Sequence, residues 1–112
     1  MAGSWRVTVR DGGRVERERF SSLDEALDGI EARGRELQRT TRAKPVDTKV
    51  LGRWEPAQQV AARLELARLG GIDIRGDGSA VAFTGRLRRR PVSERDVESP
   101  YDALRRALTR PG

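Results

Sequence analysis

The sequence predicts an α+β fold of two layers: an antiparallel sheet of four to five strands with two helices on one face, in the order ββα-(β)βββα. Three observations predict this class. Short segments alternate apolar and polar residues, glycine-containing turns separate several of them, and two helix-like segments each begin at a serine capping motif. At 112 residues, the chain is predicted to be a single domain, 1–112, with a connector at 38–45 and a tail at 109–112.

The N-terminal segment is predicted to be a β-hairpin. Residues 5–10 alternate strictly, and Asp11-Gly12-Gly13 provides a turn, because glycine adopts positive φ at little cost. The returning strand, 14–20, is mostly charged and is therefore predicted at a sheet edge, where alternating arginines and glutamates serve solubility. Its two apolar residues, Val15 and Phe20, have opposite parity, which predicts a bulge if both point inward.

Two segments have the spacing of amphipathic helices. Residues 22–25 form a capping-box pattern and open a helix predicted over 22–37. Residues 99–102 open a second helix, with proline at its first helical position, and Pro111 ends it. Both helices carry an apolar stripe, so both are expected to cover the same face of the sheet.

The remaining segments are predicted to be strands or loops. Residues 57–69 have a helix-forming composition but the period of a strand, so we predict a strand and keep a helix as the alternative. Residues 46–54 are predicted to be a strand or extended loop, and 91–98 a loop. The residues predicted to face the helices are Trp5, Val7, Val9, Val60, Ala62, Leu64, Val81, Phe83 and Leu87.

The basic residues are almost entirely arginine. Of 23 lysines and arginines, only Lys44 and Lys49 are lysine, and the formal net charge is +6. Arginine presents a rigid fork of donors that matches phosphate and carboxylate geometry, and a basic protein attracts anionic partners. Codon usage in a GC-rich genome would produce the same bias without a ligand.

Several functional classes are disfavoured by what the sequence omits. It has no cysteine and no histidine, so thiolate chemistry, disulfides and the commonest zinc ligands and general base are missing. Its carboxylates alternate with arginines or lie at a helix start, and no glycine loop has phosphate-binding spacing. We therefore expect a protein that is not an enzyme and uses no cofactor or metal. No apolar run approaches the ~18 residues of a membrane-spanning helix, and no signal-peptide pattern occurs. These two observations predict a cytoplasmic protein without membrane partners.

The alternation of the strands also predicts a candidate binding surface. One sheet face faces the helices, and the opposite face is expected to be rich in arginine and to lack aromatic residues. The candidate nucleic-acid-binding residues are Arg6, Arg10, Arg63, Arg86, Arg88 and Arg90. We predict that they contact the backbone of duplex DNA or structured RNA, since base stacking would require an aromatic platform. The alternative is a solvated face whose arginines pair with glutamates across strands.

A second functional hypothesis involves sheet edges. The strand at 14–20 and the segment at 46–54 are both candidates for strand addition, which would make the protein an interaction or self-assembly module. Its partner would be a second copy of the chain, forming a homo-oligomer, or an acidic protein.

One segment resembles a known domain in outline. Residues 5–37 are similar to the small sheet-and-helix arm-binding domain of tyrosine recombinases, through Trp5-Arg6-Val7, Gly12-Gly13-Arg14, Phe20 and Ser22-Leu23-Asp24-Glu25-Ala26. The resemblance covers under a third of the chain, and any capped ββα unit shares these features. The sequence departs from that family at Glu16 and Glu18 and contains no counterpart of its catalytic domain. The chain is therefore not assigned to that family.

Overall fold

The computed structural model describes residues 4–43, 59–85 and 89–109. Several sequence predictions fall wholly or partly outside these ranges: the strand or loop at 46–54, the inward-facing position Leu87, the candidate residues Arg86 and Arg88, and the tail at 109–112.

The described residues form an antiparallel sheet of six strands with two helices. In chain order the elements are β1 (Trp5–Asp11), β2 (Arg14–Phe20), α1 (Leu23–Ala43), β3 (Val60–Leu66), β4 (Gly70–Arg75), β5 (Ala80–Thr84), β6 (Arg90–Pro91) and α2 (Pro100–Thr109). The sheet order is β2-β1-β3-β4-β5-β6. The predicted α+β class is confirmed, and the two-residue β6 brings the strand count above the predicted four to five.

The N-terminal hairpin pairs without interruption and places β2 at the sheet edge. Its register runs from Trp5 opposite Phe20 to Asp11 opposite Arg14, so the conditional prediction of a bulge does not apply. Val15 lies on the face away from the helices and is 42% exposed, whereas Phe20 packs against the core. The two apolar residues of β2 therefore point to opposite faces.

The segment of helix-forming composition at 57–69 contains strand β3, as its period predicts. Ala62, Leu64 and Leu66 are buried against the helices, and their neighbours point to the other face. Val60, predicted to face the helices, is instead 46% exposed, because a register shift lies between it and Ala62. Burial of three alternate side chains outweighs the weak helical preference of the composition.

Helix α1 is longer than predicted and continues through residues 38–43, which the sequence analysis places in a connector. Contacts to the β4–β5 turn hold this extension. The Gln38 amide donates to the Gly78 carbonyl at 2.9 Å, and the Arg42 guanidinium donates to the same oxygen at 3.2 Å. Thr41 is buried. Because these partners come from a distant part of the chain, the apolar stripe ending at Leu37 does not reveal them.

The two helices lie side by side on the sheet and run antiparallel. Near the start of α2, the Tyr101 hydroxyl donates to Gln38 at 2.7 Å, and its ring occupies the space that a side chain at Gly34 would need. Further along α2, Arg105 contacts Asp24 and Asp28 near the start of α1. In the part of the chain that the structure describes, neither helix is long and apolar enough to cross a membrane.

The assignment of faces in β5 corrects the sequence prediction. Val81 and Phe83 were expected to face the helices, but Ala80 and Ala82 do so. In the β4–β5 register, Phe83 lies opposite Gly71, on the face away from the helices. Helix α2 packs against β5 through the buried Ala103, and small side chains on both elements allow this close approach.

Candidate functional site

The sheet face away from the helices, here called the outer face, is organised in rows across the strands. Directly opposed residues in an antiparallel pair share a face, so the registers define each row. One row runs Arg17, Thr8, Glu65, Gly71, Phe83, Pro91, and the next runs Val15, Arg10, Arg63, Asp73, Val81. Arg19 and Arg6 begin a third row. In these rows the arginines come from β2, at one edge of the sheet, and from the neighbouring strands β1 and β3.

One part of the outer face, here called the open half, consists of arginines from β1, β2 and the β3–β4 turn. Four of them, Arg6, Arg10, Arg17 and Arg68, line a concavity of about 470 Å³ together with Thr8 and Glu65. The fifth, Arg19, lines a smaller adjoining concavity that shares Arg6 and Arg68. None of the five makes an ion pair with an acid in the described ranges. These residues are Arg6, Arg10, Arg17, Arg19 and Arg68.

The other part, here called the paired half, consists of two arginine–carboxylate pairs around Phe83. Arg63 donates to both oxygens of Asp73, at 2.5 and 3.1 Å, and Arg89 donates to Glu65 at 3.3 Å. Both guanidinium carbons lie over the Phe83 ring, 5.5 and 5.6 Å from its centroid. Phe83 is only 3% exposed. The arginines of this half are therefore engaged with protein groups.

The Arg63–Asp73 pair is the tighter of the two. Its side chains are 25% and 14% exposed, and the hydrogen bonds that Arg63 donates to Asp73 raise the pKa of the Arg63 guanidinium. The Arg89–Glu65 pair has a single longer contact and more exposed side chains, at 40% and 28%. Arg63 is thus fixed in a bidentate geometry, whereas Arg89 is held by one contact.

The charges of β2 are segregated by face. Its alternating sequence puts Arg17 and Arg19 on the outer face, while Glu16 and Glu18 point toward α1. Glu16 contacts Arg33 of α1 at 3.5 Å. The acids that adjoin these arginines in sequence are therefore on the other side of the sheet and do not neutralise the open half.

The structure brings together some of the predicted site residues. Arg6 and Arg10 lie in the open half, and Arg63 lies beside them in the paired half. Arg90 does not join them, because its partner Thr84 belongs to the row that faces the helices. Its neighbour Arg89 is the one that reaches the outer face. The outer face also contains an aromatic residue, Phe83, which the sequence analysis placed inward.

Four arginines of the outer face were not among the predicted candidates. Arg17 and Arg19 could have been found from parity alone, since alternation of sign in a strand separates the charges by face. Arg89 reaches the outer face because it lies two residues before Pro91, which is opposite Phe83 on that face. Arg68 lies in the turn between β3 and β4, at φ 70°, and no sequence signal places it beside the concavity.

The chemistry available at this site is anion binding. Guanidinium groups present several donors in a planar fork and keep their charge, which suits phosphate oxygens. Among the residues that the structure describes, no group of three or more acidic side chains is placed to hold a metal ion. Comparison with protein-family models, with curated proteins and with solved structures finds no match to this chain.

Proposed function

We propose that this protein binds the sugar–phosphate backbone of nucleic acids through the open half of its outer face. The observation that carries the proposal is a set of five arginines, on one face and around two adjoining concavities, none of which pairs with an acid in the described ranges. A solvated surface in which arginines pair across strands is seen next to it, in the paired half. The open half differs because Glu65, the one carboxylate among the described residues that line it, pairs with Arg89 of the paired half.

Phosphate is the anion that fits an extended group of arginines best. A nucleic acid offers a row of phosphates, each of which accepts hydrogen bonds from a guanidinium fork and releases condensed counterions when neutralised. Contact of all five arginines with duplex DNA would give a slope of about −4 to −5 in a plot of log affinity against log salt. The binding would depend strongly on salt and little on sequence.

The character of the surface favours backbone contact over base stacking. Proteins that bind unpaired bases present exposed aromatic rings as platforms. Phe83, the aromatic residue that the structure places on the outer face, is 3% exposed beneath two guanidinium groups. The open half offers arginines and a hydroxyl instead, which supports a duplex or a structured RNA as ligand.

A double variant of two open-half arginines tests the proposal. Arg6→Ala/Arg10→Ala should weaken binding to a labelled duplex at least tenfold at ~50 mM salt, because two charge-assisted contacts are lost. The matched control is Arg39→Ala, which removes an exposed arginine from α1, in the helical layer. Fluorescence anisotropy with RNA and DNA duplexes provides the measurement. Absence of wild-type binding at ~50 mM salt, or equal loss in both variants, would refute the proposal.

The alternative of self-assembly rests on the position of β2 at the sheet edge, with six of its seven residues exposed. If two copies of β2 paired antiparallel in one continuous sheet, outer-face residues would lie opposite outer-face residues, and helix-side residues opposite helix-side residues. With Glu18 at the symmetry axis Arg17 would oppose Arg19, and with Arg17 at the axis Glu16 would oppose Glu18. Like charges directly opposite destabilise a sheet, which disfavours this arrangement. Light scattering over a concentration series tests it, with a monomer as the expected result.

A further inference from the structure

Glu65 is the one residue of the concavity whose charge opposes phosphate binding. It lies on the floor of a space lined by Arg6, Arg10, Arg17 and Arg68, so a phosphate entering there would meet a carboxylate. A surface selected only for binding phosphate would not benefit from an acid at this position. The ligand that fits the site therefore includes a hydrogen-bond donor for Glu65 next to its phosphates.

The carboxylate of Glu65 has hydrogen-bonding capacity to spare. An ionised carboxylate has about four lone-pair positions. Asp73, the neighbouring acid of the outer face, uses both oxygens on Arg63 in a partly buried pair. Among the described residues, one donor reaches Glu65: Arg89, on one oxygen at 3.3 Å, and Glu65 is more exposed than Asp73. Among the described acids of the outer face, Glu65 is the one that keeps an acceptor available inside the concavity.

Thr8 completes the centre of the site. It lies directly opposite Glu65 on one side and Arg17 on the other. Arg6 and Arg10 flank it along β1, each ~6.8 Å away in backbone position. The concavity thus has a hydroxyl and a carboxylate at its centre and cations around its rim.

This arrangement matches the minor groove of an A-form duplex. That groove is wide and shallow, displays ribose 2′-hydroxyl groups, and is bordered by phosphates. A 2′-hydroxyl can donate to Glu65 and exchange hydrogen bonds with Thr8, while the arginines reach the bordering phosphates. B-form DNA has no 2′-hydroxyl, and its minor groove is only ~6 Å wide, so Glu65 would lack the ribose donor there and could meet only the N2 amino group of guanine.

We infer that Thr8 and Glu65 read the ribose 2′-hydroxyl, so that the open half selects A-form RNA duplexes over DNA. This inference rests on the proposed backbone-binding function and adds a ligand class to it. Thr8 and Glu65 would determine specificity, whereas the arginines would supply most of the affinity.

The test compares three duplexes of one sequence: RNA, RNA with 2′-O-methyl groups throughout, and DNA. The methylated RNA keeps the A-form and the phosphates but lacks the hydroxyl donor. Wild-type protein should bind unmodified RNA about tenfold more tightly than the methylated RNA, since a hydrogen bond to a charged acceptor is lost. In Glu65→Ala this ratio should fall several-fold, to the part that Thr8 supplies, with no loss of affinity for the methylated RNA, because a repulsive charge has been removed.

Matched variants separate the causes. Glu65→Gln keeps a neutral acceptor and should retain part of the preference, whereas Glu18→Ala removes the same kind of side chain from the opposite face and should change nothing. A steric effect of the methyl groups would leave the preference intact in Glu65→Ala and overturn the inference. Equal binding of all three duplexes by wild-type protein would also overturn it and leave the proposed function standing. Failure to bind any duplex at ~50 mM salt would instead refute the proposed function.

Discussion

Arg10 and Arg63 are directly opposed on neighbouring strands of the same sheet face, yet their surroundings differ completely. Arg63 is fixed by two hydrogen bonds to Asp73 and lies over an aromatic ring. Arg10 makes no ion pair with any acid in the described ranges and lines a concavity. The same residue type therefore has a structural role on one side of the β1–β3 boundary and is free for a ligand on the other. The placement of acids, rather than the number of arginines, divides the outer face.

The acids themselves come from different elements in the two halves. Strand β4 brings Asp73 next to Arg63, and β3 provides Glu65 for Arg89. Strands β1 and β2 also contain acids, but Glu16 and Glu18 face the helical layer. An arginine-rich sequence can thus produce a paired surface and an unpaired one within a single sheet, according to strand parity.

The largest effect is expected from removal of the aromatic centre of the paired half. Phe83→Ala should lower the free energy of unfolding by about 3 kcal/mol, because a ring 3% exposed is replaced by a void under two arginines. Urea denaturation provides the measurement. Val15→Ala, at an exposed position of the open half, serves as control and should change stability by less than ~0.5 kcal/mol. Similar losses in both variants would show that the halves do not differ in their structural role.

The next effect is expected at the tighter ion pair. Asp73→Ala leaves the partly buried Arg63 guanidinium without its partner and should cost about 2 kcal/mol of stability, by denaturant unfolding. Glu18→Ala, on a strand but outside such a pair, should have little effect. The Asp73 variant should also bind duplexes more tightly, because Arg63 joins the open half. Unchanged or weaker duplex binding by a folded Asp73→Ala protein would contradict the division of the face.

A smaller effect is expected when the open half is given an acid of its own. Val15 lies opposite Arg10 on the outer face, so Val15→Glu should supply a cross-strand partner worth about 0.2–1 kcal/mol. Duplex affinity should fall several-fold, and the salt slope should decrease by about one. Val15→Gln controls for shape without charge and should bind like wild type. Affinity unchanged by the glutamate would indicate that Arg10 does not contact the ligand.

The sequence predicted the class of the fold because its strongest signals are local. The strict alternation of 5–10 and the capping motifs at 22–25 and 99–102 depend on neighbours in the chain, and each corresponds to an element of the structure. Even the ambiguous segment at 57–69 was resolved correctly by its period. Each of these elements buries one face, and the period of its apolar residues shows which face that is.

The candidate surface was less predictable because it depends on partners distant in the chain. Strand β5 is apolar on both faces. Phe83 was predicted to point inward because Val81, Phe83 and Leu87 alternate in sequence with Thr84 and arginines. The structure buries Phe83 on the outer face under Arg63 and Arg89 instead, and alanines give α2 room to pack. The alternation of faces in a strand would have placed Arg17 and Arg19 in the site. They were left out of the candidates because Glu16 and Glu18 adjoin them in sequence, which suggested that their charges were neutralised.

The measurement that tests the central claim most directly is the salt dependence of duplex binding by Arg10→Ala and Arg63→Ala, alongside their unfolding free energies. The two arginines are opposed on one face, so each substitution removes the same charge at nearly the same place. Arg10→Ala should reduce the salt slope by about one and leave stability within ~0.5 kcal/mol of wild type. Arg63→Ala should leave the slope unchanged and lower stability by about 1–2 kcal/mol. Equal reductions of the slope by the two variants would contradict the division of the outer face into an open and a paired half.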